Sequence, residues 1–308
     1  MNLLHPLQRL VVSPRLHLLG LSCLVSLAIS ASPLQAQVYV PYVPTIDGQR
    51  LDQDADILLE EARQLAQIPQ QLSFAILRAK LATQLAPKNA DAWGILGGLY
   101  LIDNQGNASV QALEKAKTLA PREPVVFFRL GSAYSQVKDY PRAIKALQEG
   151  LRIKPNVPSA MFDLGNAYFL NKQVPDAIAI YKEAYAQDSK FWFPLNNIGL
   201  IRYSEGRVDE AIRMWRDCVK IDGKEAEPML ALATALYVKK GDKAEGIKLA
   251  SQAIKLNLRY SEPQYMRDNL WGETLVADTV KLLNDPMVKK AILDAQEAAD
   301  QDPTLGVR

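Results

Sequence analysis

Histidine is almost missing from this chain. Of 308 residues only His5 and His17 carry an imidazole, and both lie near the N-terminus. Thiols are as scarce, at Cys23 and Cys218. A Ser–His or Cys–His nucleophile pair therefore has no base in the bulk of the chain. The His/Cys sets that hold zinc or copper cannot be assembled either. No Gly-rich phosphate loop follows a strand pattern, and Gly97-Gly98 and Gly241-Asp242 lack the spacing for one. The carboxylates Glu60-Glu61 and Glu225/Glu227 read as solvated helix faces or loops. Charge of neither sign is in excess, with 36 Lys+Arg against 34 Asp+Glu. A near-neutral chain has no general pull toward nucleic acid or acidic membranes. These absences argue against an enzyme, a cofactor and a bound metal, and they leave protein binding as the expected activity.

A membrane-length apolar run is lacking as well. The longest, Leu18 to Ile29, holds about a dozen residues where a span needs roughly 20. Arg9 and Arg15 precede it, and Ala31-Ser32-Pro33-Leu34-Gln35-Ala36 follows. That order reads as an export signal over residues 1–36, cut after Ala36. The alternative is an uncleaved anchor, the one route by which this chain would touch a membrane. Gly20-Leu21-Ser22 before Cys23 is a poor lipidation lead-in, and no Arg-Arg pair marks a twin-arginine signal. Cleavage takes Arg9 and Arg15 from the 36 bases and leaves 34 to balance 34 acids, with no histidine and one thiol, Cys218. No intramolecular disulfide is then possible.

What is abundant is periodicity. Trp93-Gly94-Ile95-Leu96-Gly97-Gly98-Leu99-Tyr100 is followed by small residues at Gly131, Gly165, Gly199 and Ala233, each 34 residues after the last. A small residue at that interval inside apolar helical patterns predicts a stack of helical hairpins. Pro or Gly at Pro121, Pro124, Pro155, Pro158 and Gly223 breaks the helices between hairpins. The pattern divides the chain into an extended leader over 37–50, a degenerate first repeat over 51–89, and five repeats over 90–260. Capping helices over 261–299 and a tail over 300–308 follow. In the fifth repeat one extra residue sits near Lys239-Lys240-Gly241-Asp242. Ser261-Glu262-Pro263-Gln264 looks like a capping box opening a helix to about Leu283, and Trp271 is expected to close the open end of the core. Asn107-Ala108-Ser109 fits a glycosylation acceptor, meaningful only in a eukaryotic secretory host.

Trp93-x-x-Leu96-Gly97-x-x-Tyr100, with its 34-residue recurrence, resembles the tetratricopeptide-repeat family over roughly residues 56–260. The resemblance implies an all-α, right-handed superhelical solenoid of antiparallel helix pairs, closed by a C-terminal capping helix region. It also implies that the first helix of each pair lines an inner groove that holds a partner segment. Counting from each repeat's small residue puts Phe128, Phe162 and Asn196 three before it and Asn197 two before. Asn166 and Thr234 lie one after it, and Phe169, Tyr203 and Tyr237 four after. Arg129 and Asp163 share the position of Asn197. Family members that clamp a chaperone's terminal carboxylate use Lys, Asn, Asn, Lys and Arg. Here Asn166 and Asn197 match the amides, but Phe162, Glu227 and Ala231 stand at the basic positions. The expected ligand is instead a protein or peptide segment held by its backbone, with apolar side chains in pockets. Leu270 to Thr279 further resembles exported repeat proteins of cyanobacteria and the chloroplast lumen. The implied role is an assembly or scaffolding factor in a periplasm or thylakoid lumen, with photosynthetic complexes as the possible object. A self-associating structural protein of the envelope is the alternative.

Overall fold

The computed structural model describes residues 48–301, and every regular element among them is helical. The export signal and leader residues 37–47 lie outside the described residues. Helices α1 (Gly48–Leu65) and α2 (Leu72–Leu85) form the first pair, with a 3-10 turn at Pro69–Gln71 between them. Four further pairs follow: α3 (Ala90–Ile102) with α4 (Gly106–Leu119), α5 (Pro124–Gln136) with α6 (Tyr140–Ile153), α7 (Pro158–Leu170) with α8 (Val174–Gln187), and α9 (Phe193–Ser204) with α10 (Val208–Ile221). The last pair is α11 (Ala226–Thr234), extended by a π-helical turn over Ala235–Lys240, and α12 (Lys243–Leu256). After it come a 3-10 turn at Leu258–Ser261, α13 (Pro263–Asp268), α14 (Glu273–Leu283) and α15 (Pro286–Gln301).

The recurring glycine explains why the pairs close. A Cβ placed on Gly97 would stand 2.5 Å from Leu113 Cγ, and on Gly131 2.3 Å from Leu147 Cγ. On Gly165 it would meet Tyr181 Cε1 at 2.3 Å, and on Gly199 Trp215 Nε1 at 2.6 Å. Each glycine thus faces a large buried side chain sixteen positions later, on the second helix of its own pair. The bulk missing from one helix is supplied by the other, which keeps the interior close-packed. Ser109 belongs to the same seam: it is fully buried, and its hydroxyl donates to Gly97 O at 2.7 Å.

The turns within pairs repeat too. Asn104, Lys138, Lys172 and Gly206 all have positive φ (56°, 62°, 66° and 77°), and Gly241 (71°) stands at the corresponding place in the last pair. The first four are 34 residues apart and the fifth is 35. The extra residue foreseen near Lys239–Asp242 is absorbed as the π turn, a common way for a helix to house one surplus residue.

Three boundaries depart from the sequence reading. Gly48, Gln49 and Arg50, assigned to the leader, are the first turn of α1, since Pro44 is the last helix breaker before it. Asp300 and Gln301, assigned to the tail, end α15. The helix expected from Ser261 to Leu283 is broken at Asn269–Gly272, where Leu270 takes a left-handed φ of 68°. Ser261 caps nothing there: the residue before α13 is Glu262, whose side chain makes no capping bond.

The largest apolar cluster runs from α9 into the terminal helices. It joins Leu200, Tyr203, Trp215, Met229 and Ile254 to Trp271, Leu275, Val276, Leu282 and Val288. Within this cluster α15 packs along α12, while α14 crosses to the first helices α9 and α11. Burying Leu275, Val276, Leu282 and Leu283 is worth on the order of 6–12 kcal/mol as an upper estimate.

Candidate partner-binding face

The first helices α3, α5, α7 and α9 stand side by side, each touching the next, and α9 is joined to α11 through Asn196 and Glu227. They make the face that the repeat pattern marks as the inner groove. Its two halves differ, because α14 covers one of them.

On the covered half the face and α14 are joined by polar bonds. Tyr203 OH donates to Asp278 Oδ2 at 2.8 Å, and Lys239 Nζ, carried by the π turn, reaches the same oxygen at 2.7 Å. Lys281 Nζ pairs with the other oxygen at 2.7 Å. Thr234 and Thr279 share a hydroxyl–hydroxyl bond of 2.9 Å, and Tyr237 OH donates to Asp285 at 3.1 Å. Burial opposes the Asp278 charge, but the bonds from Lys239, Lys281 and Tyr203 outweigh it and hold the carboxyl below its usual range. Burial pushes the Tyr203 phenol up, helped by its bond to Asp278.

A second network runs beneath the boundary between the halves. Asn197 Nδ2 donates to Asn166 Oδ1 at 2.9 Å and to Tyr181 OH at 3.2 Å, while Tyr181 OH donates to Asn166 Oδ1 at 2.6 Å. Asn196 Nδ2 donates to Glu227 Oε1 at 3.0 Å, and Trp271 Nε1 reaches that oxygen at 3.1 Å. Glu227 is raised above its usual value, by burial first, against the hydrogen bonds from Trp271, Asn196 and Tyr260. It anchors the turn before α14 and forms part of the wall of a cleft of about 840 Å³ shared with Trp192, Tyr260 and Tyr265.

These contacts correct most of the site expected from sequence. Tyr203 and Thr234 are buried under α14, and Tyr237 is engaged by Asp285. Asn196 and Asn197 are buried and bonded within the chain, and the two amides that match a carboxylate clamp, Asn166 and Asn197, are bonded to each other and to Tyr181. Phe162 packs between repeats, with ring centroids 5.7 Å from Phe191 and 5.8 Å from Phe193 and Tyr181. Phe128 lies against α6, where a Cβ on Gly150 would come within 2.6 Å of its ring. Of the nine expected residues, Asn166 and Phe169 keep a half-exposed place on the face without being seated under α14 or wedged between repeats.

The open half, on α3, α5 and α7, has a floor that was not singled out from sequence. Arg129 lies across the bare backbone of α3, with Nη1 donating to Gly94 O at 3.0 Å and Gly98 directly beneath its guanidinium. A Cβ on Gly94 or Gly98 would lie in van der Waals contact with it, 3.8 Å from Nη1 and 3.4 Å from Nε respectively. Burial lowers the Arg129 pKa somewhat, against the pull of Asp91. One repeat on, Asp163 takes the same position. Its partner is Ser132, at 3.4 Å, and burial pushes its carboxyl up to about 6. Charged residues in a series that otherwise reads Ile95, Asn197, Ala231 were the available signal. At the boundary, Phe169, Leu200, Asn197 and Leu270 line a small cavity, so the left-handed Leu270 helps wall off the open half.

A tetratricopeptide-repeat family profile matches residues 128–190, from α5 to just beyond α8. The protein carries tetratricopeptide repeats. Its all-α solenoid is also that of solved repeat structures. PilF of Pseudomonas aeruginosa is 18% identical, with the match covering 70% of this chain and 99% of that one at a TM-score of 0.58. PilW, described as a widely conserved type IV pilus biogenesis factor, is 16% identical, with 70% and 98% covered and a TM-score of 0.59. At these identities the likeness is one of fold. No curated protein matches the chain. Among the described residues of this repeat protein, no helix is long and apolar enough to cross a membrane.

Proposed function

We propose that this repeat protein binds a segment of a partner protein on the open half of its inner face, over α3, α5 and α7. In this reading it serves as an assembly or scaffolding factor. The observation that carries it is α14: the same face, two repeats further on, already holds a protein segment through apolar packing and side-chain hydrogen bonds. The open half repeats that architecture without a cover. Its ligand chemistry is a segment with apolar side chains, met by Phe169 and Leu101 and by the hydroxyl and amide groups of Ser132, Ser135 and Asn166. The likeness of fold to a pilus biogenesis factor supports an assembly role. The export signal read at residues 1–36 supports a periplasm as the setting of that role. The resemblance of Leu270 to Thr279 to lumenal proteins makes a thylakoid lumen, and photosynthetic complexes, the alternative setting.

The test is site-specific crosslinking. A photoreactive side chain at Ser135 should capture a discrete partner from an envelope extract, and Asn166→Ala with Phe169→Ala should abolish the product while leaving the circular dichroism unchanged. Capture that is indifferent to those changes would move the binding surface elsewhere.

Self-association is the second reading, and α2 favours it. Phe74 and Leu77 are each 58% exposed and Leu81 41%, an apolar stripe along one face of that helix. Light scattering decides: a monomer at all concentrations removes this reading.

A further inference from the structure

α14 shows what the inner face accepts. It is a helix that sets Leu275, Val276 and Leu282 into apolar ground. Its polar contacts fall one and four positions after a repeat's small residue, with Thr279 on Thr234 and Asp278 on Tyr203. The matching positions of the second and third full repeats are Ser132, Ser135, Asn166 and Phe169, all half-exposed. By the symmetry of the repeat, the seat that holds α14 recurs there, uncovered.

The two seats differ in charge. In the covered half the seated helix brings the carboxylate, Asp278, and the face answers with Tyr203 and Lys239. In the open half the carboxylate belongs to the face. Asp163 accepts one bond, from Ser132 at 3.4 Å, and no Lys or Arg nitrogen forms an ion pair with it among the described residues. Arg129, its counterpart one repeat earlier, is turned away onto Gly94 O. A half-buried carboxylate without a cation is unfavourable, and a cation brought by a partner would relieve it.

We propose that the open half takes an amphipathic helix of another protein, with a Lys or Arg on its apolar face set against Asp163. This rests on the partner-binding reading of the same face and adds the partner's form and charge. Helix-in-groove docking supplies the apolar anchors, and the cation selects among helices that would otherwise bind alike.

The test pans a displayed library of short amphipathic helices, randomised at the inward positions, against the full chain. Enriched helices should carry Lys or Arg at an inward position and bind Asp163→Asn at least about tenfold more weakly, as expected for loss of one member of a partly buried charge pair. Asp163→Glu should retain most of the affinity, and thermal melts of both variants show that the fold is kept. Enriched helices that lack an inward base, or bind Asp163→Asn equally well, overturn the proposal. If Ser135→Trp still blocks those helices, the partner-binding reading survives. Binders indifferent to Ser135→Trp, or no enrichment at all, overturn both. A dimer of the protein that Asp163→Asn disperses would assign the face to a second copy and likewise overturn the proposal.

Discussion

Replacing Asp278 tests whether α14 is bonded to the inner face or merely rests on it. The side chain is 4% exposed and accepts from Tyr203, Lys239 and Lys281. In Asp278→Ala the Tyr203 hydroxyl, itself buried, loses its acceptor, at about 1–3 kcal/mol. The two ammonium groups are 36% and 65% exposed and rehydrate, so each adds little, ~0–1 kcal/mol. The total is about 1–5 kcal/mol, or roughly 2–20 °C in Tm for a domain of this size. Tyr203→Phe removes the donor but leaves the carboxylate its two cations, and should cost about 1 kcal/mol. Asp278→Asn keeps an acceptor for Tyr203 and should also cost about 1 kcal/mol. Urea unfolding followed by circular dichroism gives the order, and hydrogen exchange of the α14 amides shows where the loss falls. The lowered pKa of Asp278 adds a pH signature. Its contribution is complete above the ordinary Asp value of 3.8 and is lost as pH falls through the lower folded value. The gap between wild type and Asp278→Asn should therefore close only in strong acid. Tyr203→Phe costing as much as Asp278→Ala would refute the unpaired-hydroxyl argument.

Asp163 predicts the opposite pH behaviour. Its folded pKa is raised to about 6 from 3.8, so ionisation favours the unfolded chain as pH rises between those values. Asp163→Asn should stabilise the protein at pH 7 by on the order of 1–2 kcal/mol, and the gain should vanish below about pH 4; a gain that persists in acid would point to another cause. Gly165→Ala drives a methyl into Tyr181, whose hydroxyl is held by Asn166 and Asn197. Overpacking of about 1–3 kcal/mol should exceed the ~1 kcal/mol helix-propensity gain, and calorimetry should show a lower Tm. Lys138→Gly and Lys172→Gly place glycine where positive φ is already required, as Gly206 and Gly241 do naturally. Each should stabilise by about 0.5–1 kcal/mol in denaturant melts, and destabilisation would mean the lysine side chains contribute more than their turn geometry suggests.

Much of the fold was legible because it is local and repeated. Gly97, Gly131, Gly165 and Gly199 stand 34 residues apart, and each meets a partner sixteen positions on. A hairpin of two helices needs no information from elsewhere in the chain, so period, pairing and turns follow from spacing. Even the surplus residue near Gly241 could be counted, although not its resolution into a π turn. The directions of the groove positions were equally local, and Asn166, Phe169 and Tyr203 do lie on the first-helix face.

What only the tertiary structure decided is which of those positions remain uncovered. Asp278 lies 75 residues beyond Tyr203 and Thr279 45 beyond Thr234. Nothing in a 34-residue period records a contact of that range. The sequence by itself determined a stack of helix pairs and the face each would show. The folding back of α14, made possible by the left-handed turn at Leu270 and driven by the apolar area that α14 buries, decided that the C-terminal half of that face is core. The half around Asp163 is left as the surface.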